Sequence, residues 1–180
     1  YEKLPQNEEN KKWLKSVMAS AMDEYFQVWM GQKRLTNTGL SRYFGEGKGV
    51  PPEVEEGHYD VVFAPFAKRK GLTIKNYQKK YSKGEIKEPE LDDYFVHDRA
   101  VRESGHDTTY RWTYKGKNKT SDFVTVDLNS LLYKSEVDLA GLIQKHFNDG
   151  FSYRGKVFSS KDWYEKAKKR KELILKYFWN

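Results

Sequence analysis

The stretch TVDLNSLLYKSEVDLAGLIQKHF, residues 125–147, decides the fold class. Leu128, Leu131, Leu132, Leu139, Leu142, Ile143 and Phe147 recur at the three- and four-residue spacing that lines one side of an α-helix. Thr125 stands where an N-cap belongs, and Asn148-Asp149-Gly150 follows as a stop signal. The pattern predicts one long helix from Val126 to Phe147 with these residues as its buried face.

Working outward, the same period recurs on both sides. Asn7-Glu8-Glu9-Asn10 offers caps and acidic residues for a helix start. Trp13, Val17, Ala21, Tyr25 and Trp29 then repeat at helical spacing, flanked by Leu14, Met18, Met22 and Phe26, with Gly31 placed to end the helix. Ser159 or Ser160, with Asp162 behind it, opens a last helix whose buried side is marked by Trp163, Ala167, Ile174 and Phe178. Leu72–Tyr81 reads as a helix stopped at Gly84, and Leu91–Tyr94 as a short one. Tyr59–Ala67 is an apolar run that period alone leaves between helix and strand. Residues 31–58 hold six glycines and the Pro51-Pro52 pair, and predict a long irregular loop of the kind that is commonly functional. Strict alternation is scarce, so the chain reads as all-α with little sheet.

The chain has 180 residues, 37% hydrophobic, 33% charged and 16% aromatic, a balance that excludes a disordered linker. It has no cysteine, which excludes disulfides and thiolate metal sites and suits a cytoplasmic home, with a secreted form left open. No run approaches the ~18 apolar residues of a membrane helix. Net charge is +7. The lysines read as spread among Glu and Asp on solvated helix faces, Lys166–Lys171 among them. The competing reading is a basic helical module for nucleic acid.

The chemistry gathers in Arg102-Glu103-Ser104-Gly105-His106-Asp107, continued by Thr108-Thr109-Tyr110-Arg111-Trp112. Glycoside cleavage needs a carboxylic acid on one side of the bond and a second carboxylate on the other. It also needs donors and acceptors for many hydroxyls, which Arg forks and Glu oxygens supply. Arg102 and Arg111 beside Asp107 would favour its charged form. An acid role therefore requires burial or a second carboxylate, such as Glu103 or Glu53, to retain the proton. His58, His97 and His146 show no metal spacing. Asn118-Lys119-Thr120 has the form of a glycosylation acceptor. Asp127 and Asn129 read as capping or orienting residues.

This run resembles the acid-bearing segment of the trehalases, most closely the fungal neutral type. The resemblance continues through Val126–Lys134 and backwards through Gly39–Tyr43, Pro51-Pro52-Glu53, Ile86–Pro89 and His97-Asp98-Arg99, covering almost the whole chain. It implies a part of an (α/α)6 barrel with long irregular loops, residues 1–180 being a central portion of one trehalase catalytic domain. It implies hydrolysis of α,α-trehalose to two glucoses with inversion. Asp107 is then the general acid, and Glu53, Arg102 and Gly105 are substrate-binding positions.

The glycine-rich upstream segment and the downstream segment that holds the general base in such enzymes are absent from these residues, and Lys115–Phe123 is longer and more basic than in the relatives. The fragment is accordingly expected to be inactive alone, and an inactive pseudo-enzyme is a further alternative. No cofactor or metal is expected in this chain. A calcium-binding region and a segment read by 14-3-3 adaptors would belong elsewhere in a full protein, alongside trehalose and the remaining catalytic-domain segments as partners.

Overall fold

The computed structural model describes the chain except residues 1, 2, 6, 53, 107–110 and 180. Helices dominate it, as the periodicity requires. The chain divides into two compact units, one formed by Tyr1–Tyr43 with Val124–Asn180 and the other by Phe44–Phe123.

The first unit is built on α1 (Glu8–Asp23), α5 (Val126–His146) and α6 (Ser160–Phe178). Asn7 caps α1 by accepting from the Asn10 amide at 2.8 Å. Helix α1 runs on into a π-helical segment, Glu24–Trp29, closed by the Met30 amide reaching back five residues to the Tyr25 carbonyl. The buried row is Leu14, Met18, Met22 and Tyr25. The expected Trp13–Val17 stripe faces outward instead, at 50% and 43% exposure. In α5, Leu128, Leu132, Leu139 and Ile143 are buried, whereas Leu131 is 63% exposed. Val17 and Leu131 line an apolar groove of about 390 Å³ between α1 and α5, which is why an apolar period overstates the buried face here. Thr125 holds the N-cap position without a side-chain capping bond. Ser159 and Asp162 form a reciprocal capping box on α6.

One charged cluster is sealed inside this unit. Arg170 donates to Glu136 Oε1 from Nε at 2.9 Å and lies 2.8 Å from the same oxygen through Nη2. Tyr25 donates its hydroxyl to that oxygen at 2.6 Å, and Arg170 Nη1 donates to Asn129 Oδ1 at 2.9 Å. Asn129 also accepts from the Ser41 amide and donates to the Ser41 and Thr125 carbonyls, tying the loop after α1 to α5. Arg170 therefore leaves the solvated basic face expected for Lys166–Lys171.

The second unit packs α2 (Asp60–Arg69), α3 (Ile74–Ser82) and α4 (Pro89–Ser104) around Tyr59, Phe63, Ala67, Tyr77, Tyr81, Leu91 and Phe95. The apolar run at 59–67 is thus helical. Each fully buried ring here contributes about 2–3 kcal/mol by leaving water. Helix α4 is sixteen residues long, not the short helix expected from Leu91–Tyr94. Its period is masked because His97 and Arg99 occupy buried positions where an apolar residue is expected.

Two small hairpins complete the chain: β1 (Thr113–Tyr114) with β2 (Lys117–Asn118), and β3 (Phe151–Tyr153) with β4 (Lys156–Phe158), both antiparallel. Their two-residue turns, Lys115-Gly116 and Arg154-Gly155, take positive φ throughout, the twist that suits tight hairpins.

The positive charge is not evenly spread. Residues 68–87 hold eight Lys or Arg and one Glu, which equals the whole net charge of +7. Lys75, Lys79 and Lys83 follow one another at four-residue steps along α3 and its cap, all exposed.

Candidate active site

Helix α4 carries the candidate site on its last two turns. Gly105 ends it in the left-handed conformation, φ 67° and ψ 2°, which an L-residue rarely adopts. Among the described residues, no atom lies within 4 Å of where a Cβ would project.

Arg102 sits one residue-triplet before that turn and is held along one edge. Its Nε donates to Asp98 Oδ2 at 3.1 Å, and Nη2 donates to the Tyr59 hydroxyl at 2.9 Å. Tyr59 in turn donates to the same Asp98 oxygen at 2.5 Å. His58 Nε2 lies 3.4 Å from Nη2, its ring edge-on to Tyr59. Nη1 has no partner among the described residues, and the side chain is 37% exposed. The guanidinium thus presents a donor edge outward while its other edge is fixed. Burial works to lower the Arg102 pKa. The hydrogen bonds to Asp98 and Tyr59 outweigh it and raise the value above the ordinary one. Burial, then the Asp98 bond and charge, raises the Tyr59 phenol.

The same helix fastens the loop that leads to Pro51-Pro52-Glu53. Arg99 is buried and donates to the Gly47 carbonyl at 2.9 Å and to the Gly49 carbonyl. Glu103 accepts the Phe44 amide at 2.6 Å. Gly45 lies so near α4 that a Cβ would fall 2.6 Å from Arg99 Cβ and 2.7 Å from its carbonyl oxygen. Val50 and Val54, on either side of Pro51–Glu53, pack against the aromatic core. Loop and helix end are therefore held by one another.

Of the expected site residues, Arg102 and Gly105 are brought together at this helix end. Asp107 and Glu53 lie outside the described residues; in sequence they stand two residues past Gly105 and directly after Pro52. Asp98 and Arg99 entered the sequence reading only within the matching stretch His97-Asp98-Arg99, and Tyr59 only as the start of an apolar run; none was expected at the site. Asp98 was legible as the i−4 partner of Arg102 on a helix. Tyr59, 43 residues before Arg102 in the chain, carries no local signal.

Other candidates take structural places. His97 is buried, with its ring nitrogens against Ser121 and Lys119. His106 packs edge-on to Trp112 at 5.3 Å. Asn118 Oδ1 accepts from the Thr120 amide and hydroxyl at the start of the 3₁₀ turn Thr120–Asp122. Asp127 accepts the Tyr43 hydroxyl at 3.0 Å. Among the described residues no cluster of three or more His, Asp or Glu could hold a metal ion, and no helix is long and apolar enough to cross a membrane.

The chain is 44% identical over 192 residues to the cytosolic neutral trehalase of Neurospora crassa, covering all of this chain and 25% of that protein. It is 44% identical over 170 residues to the cytosolic neutral trehalase of Saccharomyces cerevisiae, covering 93% of this chain and 22% of that protein. The chain thus spans about a quarter of the length of the curated relatives it matches. Its structure superposes on neutral trehalase Nth1 from Saccharomyces cerevisiae with a TM-score of 0.88 at 43% identity, over 97% of this chain and 31% of that one. The family model described as Trehalase matches residues 1–180, and the chain belongs to the trehalase family.

Proposed function

We propose that these residues form the acid-bearing portion of a glycoside hydrolase that cleaves α,α-trehalose into two glucoses with inversion. The observation that carries the reading is Arg102: clamped along one edge by Asp98 and Tyr59, it offers the other edge beside the left-handed Gly105 turn. A fixed fork of donors loses little entropy when it binds a polyol. Asp107 protonates the glycosidic oxygen, and Arg102, Glu53 and the Gly105 backbone hold glucose hydroxyls. Asp98 also bears on the acid: a guanidinium already paired with a carboxylate pulls less on a second carboxyl, which eases proton retention by Asp107. The second carboxylate that inversion requires is supplied by residues outside this chain.

The names of the relatives support a cytoplasmic home. Trehalose and the rest of the catalytic domain are the proposed partners; a 14-3-3 adaptor and a calcium region rest on the resemblance alone. The test is Asp107→Asn in the complete protein: turnover should vanish with circular dichroism unchanged, and retained turnover would sink the assignment. A second reading, a basic module for nucleic acid, draws on the lysine row of α3. It requires affinity that collapses as salt rises.

A further inference from the structure

We infer that Asp98 and Tyr59 are positioning residues for the reaction: they act through Arg102 and have no contact with substrate of their own. This rests on the proposed trehalose-cleaving function. Three groups form a closed triangle, in which Asp98 Oδ2 takes both Arg102 Nε at 3.1 Å and the Tyr59 hydroxyl at 2.5 Å, and that hydroxyl takes Arg102 Nη2 at 2.9 Å. Each proton has one direction available. The tyrosine proton goes to the carboxylate, which leaves the phenolic oxygen as acceptor for the guanidinium.

The triangle is also built on rigid supports. Tyr59 is buried at the centre of the aromatic core, its ring edge-on to Phe95 at 5.0 Å. Asp98 stands one helical turn before Arg102, so the helix itself sets their separation. An arginine side chain has several rotatable bonds, and on an exposed helix end its plane would wander. With Nε and Nη2 fixed, the plane is fixed, and the two Nη1 protons point one way. A misplacement of about 1 Å in a substrate-holding group costs on the order of 100-fold in rate. The sequence separation of Tyr59 from Arg102 and the low exposure of Asp98, 18%, argue against incidental surface pairing.

The test uses the complete protein and kcat/KM for trehalose with five variants: Arg102→Ala, Asp98→Asn, Tyr59→Phe, and the last two each combined with Arg102→Ala. Asp98→Asn and Tyr59→Phe are each expected to lower kcat/KM by about 10- to 100-fold. On the Arg102→Ala background they should cause no further loss, because their route to the substrate is gone. Free guanidinium should restore part of the activity of Arg102→Ala and none of it once Asp98→Asn is added. Additive losses, or rescue that survives Asp98→Asn, would overturn the positioning role, and so would wild-type kcat/KM in Tyr59→Phe, a variant that keeps its ring in the core. Full activity in Arg102→Ala would instead strike at the proposed function itself, so the two failures are told apart.

Discussion

Replacing Arg170 by Met should be among the most damaging single changes in the first unit. The guanidinium is 3% exposed and its partner carboxylate Glu136 is 1% exposed. Removing Arg170 takes away both bonds to Glu136 Oε1 and the one to Asn129. Glu136 is then a buried anion with a single donor, the Tyr25 hydroxyl, and its other oxygen already has no hydrogen-bond partner. Burial first, then the Glu136 charge, raises the Tyr25 pKa, so the phenol stays protonated and cannot neutralise the acid. Breaking such a pair from one side costs about 3–5 kcal/mol. That is roughly 100- to 5,000-fold in the folded-to-unfolded ratio. Urea unfolding of the complete protein, followed by intrinsic fluorescence, should show the midpoint fall at unchanged slope; Trp163, stacked edge-on to Tyr25 at 5.0 Å, sits beside the lesion. The double variant Glu136→Met/Arg170→Met removes both charges and should be less destabilised than Arg170→Met alone. A loss below about 1 kcal/mol for Arg170→Met, or single-variant losses that simply add, would refute a sealed ion pair.

Three further outcomes are expected. Gly45→Ala forces a Cβ to 2.6 Å from Arg99 Cβ, so it should destabilise by about 1–3 kcal/mol and raise KM for trehalose by displacing the loop before Glu53; an unchanged KM would separate that loop from the site. Lys75→Glu places an acid in the first turn of α3, which has none, and four residues before Lys79. It should add about 0.5–1.5 kcal/mol at low salt, with the gain lost in 1 M salt if it is electrostatic. The Asp162 carboxyl is held below its ordinary 3.8 by the Ser159 amide and then the Ser159 hydroxyl. A depressed carboxyl stabilises above its unfolded pKa and loses that contribution as pH falls through the folded value. Wild type should therefore exceed Asp162→Asn in thermal stability above pH 3.8, with the gap closing below it; a gap that persists in acid would mean the charge is irrelevant to the cap.

The long helices were legible because they keep apolar residues at helical spacing and carry their own caps: α5 and α6 start and end within a residue or so of the signals at Thr125, Asn148 and Ser159. Helix α4 was not, because its buried side holds His97 and Arg99, polar groups that period counts as surface. Arg170 and Glu136 misled in the same way. Val17 and Leu131 erred in the other direction, since apolar residues also line a groove, and Trp13 is simply half-exposed. At the candidate site, Arg102 and Gly105 were readable from the local run. Tyr59 and the Gly47 and Gly49 carbonyls were not, because tertiary packing alone brings them to α4.

The division of the chain has a kinetic consequence. Phe44–Phe123 is one unbroken stretch, whereas the other unit joins segments that flank it, with Arg42 bridged to Val124. Closing a flexible loop of about 80 residues costs roughly 4 kcal/mol of chain entropy in its length-dependent part alone. If the inner stretch collapses first, its ends are already drawn in and most of that cost falls away. The continuous unit is thus expected to gain hydrogen-exchange protection before α1 does during refolding, and the clamp on Arg102 would be in place before α1 and α5 meet.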